Sequence, residues 1–118
     1  MRVILFPYQS EQPIEELDIP DVPVERIQSL YRLLGGDLLT LDVPQQLLKG
    51  NAAVALINSD AKAIYRGSLN YRATLFMSPG LGILADDYIA GPMLVAGFAN
   101  HNLVDAPKSV LERIGNII

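Results

Sequence analysis

The sequence predicts an α+β fold: a mixed or mostly antiparallel sheet of five to six strands with two helices, in a single domain covering residues 1–118. Three observations predict it. The apolar residues fall in short runs of four to seven, closed by proline, glycine or Asx clusters, which is strand-like punctuation. Two segments, Asp21-Val22-Pro23 and Asp105-Ala106-Pro107, open with the helix-start chemistry Asp-X-Pro and run on into apolar residues at helical spacing. Strands and helices do not alternate, so a doubly wound sheet with helices on both faces is not expected; helices on one face are.

Arg2–Phe6 is β-branched and aromatic, stops at Pro7, and is apolar on both sides, which predicts a central strand. Gln9–Pro13 is a polar turn. Ile14–Ile19 sets three apolar residues among Glu15, Glu16 and Asp18, the pattern of an edge strand guarded by charge. A helix follows over about 22–34, with Val24, Ile27, Leu30, Tyr31 and Leu34 at helical spacing. Pro23 sets φ for its first turn, Asp21 is the better capping residue beside Val22, and Gly35-Gly36 ends it.

Asp37–Val43 alternates loosely and is closed by Pro44. Gln45–Gly50 reads as a turn or a single helical turn, and Ala52–Ile57 as an apolar strand. Asn58-Ser59-Asp60 turns the chain, with Ala61–Tyr65 expected to return as a hairpin partner. Gly67–Met77 fits a helix face or a strand equally. Ser78-Pro79-Gly80 is a turn, Leu81–Leu84 extended, and Asp86-Asp87 a polar turn. Met93–Phe98 is a strand and Asn100–Asn102 a loop. Val110, Leu111 and Ile114 give a final short helix an apolar face, with Gly115 at its end.

Composition narrows the function. The chain has 118 residues, 50% of them hydrophobic and 19% charged. A small domain this apolar has more apolar surface than one core hides, which points to a homo-oligomer. There is no cysteine, so disulfides, thiolate metal sites and a Cys nucleophile are excluded. One histidine, His101, lies between two asparagines and is read as a solvent-exposed loop residue. Together these argue for no bound metal and no cofactor, and make an enzyme the weaker expectation, though carboxylate or tyrosine chemistry stays open. The net charge is −4, with nine basic residues scattered along the chain, which argues against extended nucleic acid as a partner. No apolar run reaches the length of a membrane span, and the N-terminus lacks the long apolar core of a signal peptide; a cytoplasmic protein is expected.

The best site candidate is Tyr65-Arg66-Gly67-Ser68-Leu69-Asn70-Tyr71-Arg72. Arginine offers a forked donor for phosphate or carboxylate, tyrosine a flat face and a hydroxyl, and asparagine an amide edge. If the stretch is a strand, Arg66, Ser68, Asn70 and Arg72 share one polar face. If it is a helix, that cluster breaks up. The candidate ligand residues are therefore Tyr65, Arg66, Asn70, Tyr71 and Arg72, and the ligand class is a small anion. The plainer alternative is that the guanidiniums pair with Asp86, Asp87 or glutamates. Asp86-Asp87 itself could hold a divalent ion but reads better as a solvated turn, and Gly80-Leu81-Gly82 is too short to cradle a phosphate.

Several of these pieces fall in the order of a known family. The N-terminal strand, the helix ending in Leu34-Gly35-Gly36, the strand Leu38–Val43 and the strand before Asn58-Ser59-Asp60 are among them. Asn70-Tyr71-Arg72-Ala73, the segment Tyr88–Gly97 and the closing helix complete the order. In this the chain resembles the domain of unknown function 3846 family of uncharacterised phage, plasmid and bacterial proteins. Its most specific element is Ile89-Ala90-Gly91-Pro92. Tyr71 interrupts the family's Asn-Arg-Ala element, and Ser78–Gly82 is an insertion before the Ile-Ala-Gly segment. The resemblance implies a phage or mobile-element setting and no activity. Two expectations follow: a non-enzymatic accessory protein binding a small anionic ligand, such as a sponge for a nucleotide signal that counters host defence; or a protein-binding inhibitor of a host or defence protein.

Overall fold

A computed structural model describes residues 1–77 and 87–117. The elements run β1 (Arg2–Phe6), β2 (Glu15–Asp18), α1 (Pro23–Leu34), β3 (Leu38–Val43), a 3-10 turn (Gln45–Leu48), β4 (Ala53–Asn58), α2 (Ala61–Ile64), α3 (Tyr71–Met77), β5 (Met93–Ala99), β6 (Asn102–Val104) and α4 (Lys108–Ile117). The six strands form one sheet in the order β2-β1-β5-β4-β3, and every pairing is antiparallel. β6 pairs the C-terminal end of β5, Gly97 with Val104 and Ala99 with Asn102, while β1 pairs its start, Phe6 with Met93. β1 is interior, as its two apolar faces require. β2 is an edge, and its three carboxylates face solvent.

The two faces of the sheet carry separate apolar clusters. On one, Ile4, Phe6, Ala55, Met93 and Val95 pack beneath Ala73, Phe76 and Met77 of α3, Val110 of α4 and Leu48. The Phe6 and Phe76 rings lie 5.1 Å apart. On the other, Val3, Leu56, Leu94 and Ala96 pack beneath Leu30 and Leu34 of α1. The α+β class holds, but helices cover both faces, not one, and among the described residues there are four, three of them seven residues or longer. The reason lies in β5 and β4. Met93–Gly97 and Ala53–Asn58 are buried at every position, so both their faces need a cover.

α1 starts at Pro23 and ends where Gly35 turns left-handed at φ 81° and donates its N–H to the Tyr31 carbonyl. Its N-cap is Val22, with no side-chain cap. Asp21 is not the cap: its carboxylate instead takes Arg26 at 2.6 Å. Ala61–Ile64 does not return as a hairpin partner but forms α2, and the ambiguous 67–77 stretch becomes α3 from Tyr71. Gly115 does not stop α4, which runs on to Ile117; on its face Val110 is buried, but Leu111 is exposed. Asn100 and His101 take left-handed φ of 53° and 64° and form the two-residue turn joining β5 to β6. The expected turn at Ser78–Gly80, the extended Leu81–Leu84 and Asp86 lie outside the described residues.

Candidate functional site

The strand that would have aligned Arg66, Ser68, Asn70 and Arg72 does not form. The chain leaves α2, makes a single antiparallel bridge at Leu69–Ala90, and enters α3. Two backbone bonds flank the bridge: Gly91 N–H to the Ser68 carbonyl at 3.0 Å and Asn70 N–H to the Ile89 carbonyl at 2.8 Å. The five candidate residues are therefore split between structural and exposed roles.

Asn70 is fully buried. Its amide donates to the Phe6 carbonyl at 2.9 Å and the Gly91 carbonyl at 2.8 Å, and its side-chain oxygen accepts from Ala73 N–H at 3.1 Å. It caps α3 and ties that helix to the end of β1 and to the 89–91 segment. Both amide donors are used inside the protein, so Asn70 has none left for a ligand. Arg72 is committed too. Its guanidinium donates to the Pro7 and Gln9 carbonyls at 3.2 and 3.0 Å, holding the turn after β1. For Arg72 the plainer expectation is also corrected: it bonds backbone carbonyls, not carboxylates, and among the described residues Asp87 pairs with Lys62, while Asp86 lies outside them.

Tyr65 is half-buried. Its ring meets Tyr8 at 5.6 Å with a 52° tilt and lies flat against Gly91, where an added Cβ would come within 2.5 Å of the ring. Gly91 also sits at φ 72°, so glycine is required there twice over. The Tyr65 hydroxyl points to the Leu34 carbonyl at 3.4 Å, beside Asn58, which donates to the same oxygen at 3.0 Å. Arg66 and Tyr71 remain on the surface; Tyr71 is 62% exposed, and Arg66 has no hydrogen-bond or ion-pair partner among the described residues.

The structure adds three residues that the sequence argument passed over. Tyr8, in the turn after β1, sets its ring at a tilt against Tyr65. Lys62 lies over the Tyr88 ring at 4.8 Å and bonds the Asp87 carboxylate. That bond, with a further one from Tyr88 N–H, lowers the Asp87 carboxyl below its ordinary pKa. Four of the five tyrosines of this acidic chain, Tyr8, Tyr65, Tyr71 and Tyr88, thus belong to the segments around the α2–α3 junction, with Lys62, Arg66 and Arg72.

His101 is exposed in its turn, and among the described residues no group of three or more His, Asp or Glu side chains is placed to hold a metal ion. No described helix is long and apolar enough to cross a membrane. On the α1 side of the sheet, an open groove of about 340 Å³ runs between Ile27 of α1 and the strand residues Thr40, Leu56 and Phe98. No family model, curated protein or solved structure matches the chain.

Proposed function

We propose that the chain is a non-catalytic module that binds a small anion bearing a flat ring, such as a nucleotide, on the surface formed by Tyr65, Tyr8 and Arg66. The observation that carries the reading is the tilted Tyr8–Tyr65 ring pair next in sequence to an arginine with no partner among the described residues. A ring face takes a base by stacking, and a free guanidinium takes a phosphate by a charge-assisted fork. On a molecule of net charge −4 a local cationic spot attracts one compact anion and leaves a long polyanion repelled. Asn70, through the Gly91 carbonyl, and Arg72, through the Pro7 and Gln9 carbonyls on either side of Tyr8, support it from beneath. The resemblance to the phage and plasmid family fits such a module as a sponge for a nucleotide signal in the cytoplasm of an infected host cell.

Titration calorimetry with AMP, a cyclic dinucleotide and inorganic phosphate tests this. Nucleotide binding weakened by Arg66→Ala about 10- to 100-fold is expected, the effect of losing about 1.5–3 kcal/mol from a hydrogen bond to a charged group. No heat with any of the three refutes the reading. The alternative, inhibition of a host protein, has its own observation in the groove beside Ile27. It predicts that Ile27→Asp, not Arg66→Ala, abolishes the biological effect.

A further inference from the structure

The two edges of the sheet are built differently. β2 ends the sheet with Glu15, Glu16 and Asp18 in four residues, a strip whose like charges repel a second strand. β3 ends it with Leu38-Leu39-Thr40-Leu41-Asp42-Val43, which carries one charge. It has no proline, and Leu39 is 43% exposed.

The hydrogen-bond phase of β3 follows from its pairing. Leu38 stands opposite Asn58 and Val43 opposite Ala53, and Ser59 N–H donates to the Asp37 carbonyl at 2.8 Å. Odd-numbered residues therefore turn their N–H and C=O toward β4, and even-numbered ones turn theirs outward. Leu38, Thr40 and Asp42 thus present three N–H and three C=O groups along the edge, and among the described residues none of these takes a partner. Such a row is a template for another strand.

We infer that β3 pairs with β3 of a second copy, antiparallel about a two-fold axis at Thr40, joining two six-stranded sheets into one. The occupant is a second copy because the strip is complementary to itself. Centred on Thr40, the pairing opposes Thr40 to Thr40, and Leu38 to Asp42 at each end, so all three outward residues on each strand are bonded. The one charge on each strand faces an apolar residue and not its own copy. On the other face Leu39 comes opposite Leu41 twice, in the closely spaced non-hydrogen-bonded positions, and the exposed Leu39 is covered. Moving the axis by one residue to Leu41 places Leu38 opposite Pro44, which has no N–H to give. This dimer is independent of the ligand reading.

Sedimentation of the full chain across micromolar concentrations is expected to give twice the 12.9 kDa chain mass. Thr40→Pro deletes an outward N–H and no bond to β4, and it is expected to give a folded monomer; Leu39→Lys does the same without touching the backbone. Glu16→Lys, on the other edge, leaves the dimer intact. The natural chain has no cysteine, so single-cysteine variants read the register directly. On oxidation Thr40→Cys cross-links to itself and Asp42→Cys does not, but a mixture of Leu38→Cys and Asp42→Cys does. A wild-type protein that stays at 12.9 kDa, or a dimer that survives both Thr40→Pro and Leu39→Lys, overturns the proposal. Self-linking at Asp42→Cys with none at Thr40→Cys overturns it as well.

Discussion

Asn70 and Arg66 lie four residues apart in one polar stretch and have opposite fates. Asn70 is sealed under the end of β1 with its amide donors and its side-chain carbonyl engaged, while Arg66 is exposed and has no partner among the described residues. What separates them is the local supply of unpaired main-chain groups. Where β1 ends, and where residues 89–91 pass with only one bridge, carbonyls would be buried unbonded unless a side chain reached them. Asn70 and Arg72 fill that need; at Arg66 no such need exists. Polar residues near each other in sequence can thus do unrelated work, and the strands that stop short decide which.

The strongest way to break this comparison is Asn70→Ala. It strands the Phe6 and Gly91 carbonyls, removes the α3 cap and leaves a small void. A loss of about 3–4 kcal/mol in a urea melt is expected, from several buried bonds at about 1 kcal/mol each plus the desolvation of their orphaned partners. If Asn70→Ala melts like the wild type, the buried tie is not what holds the segment. Arg72→Ala comes next. It frees the turn after β1 and is expected to cost about 1–2 kcal/mol, since its two carbonyls gain access to water when the side chain goes.

The Lys62–Asp87 pair sharpens the comparison at its exposed end. Lys62 holds the folded Asp87 carboxyl below its ordinary pKa, first through the side-chain hydrogen bond. A depressed carboxylate stabilises the fold at pH above its unfolded value, and that stability drains away as pH falls through the folded value. The pair is largely exposed, so the effect is expected to be a few tenths of a kcal/mol. Carbon-13 titration should show the Asp87 midpoint rising in Lys62→Ala; an unmoved midpoint would disprove the link. Arg66→Ala is expected to leave stability within about half a kcal/mol of the wild type, as for surface sites generally. A larger loss would mean that Arg66 is structural like Arg72.

Much of the fold was legible. Pro23 and Gly35 bracket α1, the carboxylates of Glu15–Asp18 mark an edge, and β1, apolar from Val3 to Phe6, is interior, because each signal depends on residues adjacent in sequence. α2 and α3 were harder. Ala61–Ile64 is one turn long, and Tyr71–Met77 is seven residues whose apolar positions suit either period. Their state is fixed by tertiary bonds, above all Asn70 to Phe6 across 64 residues. The site suffered for the same reason. Tyr65, Arg66 and Tyr71 were visible as chemistry, but Tyr8 and Tyr88 join them only through the folded chain, and nothing local marks Asn70 as buried.

β1 has consequences for the order in which the protein can be made. Its near neighbour in sequence is β2, and a two-stranded ribbon is marginal on its own. Its other neighbour, β5, pairs Ile4 with Val95, and Arg2 exchanges bonds with Asp105 and Ala106, more than 100 residues away. At about 5–20 residues per second, a ribosome takes roughly 4–15 s between releasing β2 and releasing β5. For that interval an apolar strand waits with one edge open, and loop closure over most of the chain still has to follow. A chain cut before Met93 therefore leaves β1 and β4 without the strand that lies between them and yields no smaller folded version of this protein. Yield should depend on a chaperone that shields Val3, Ile4 and Phe6 until β5 arrives.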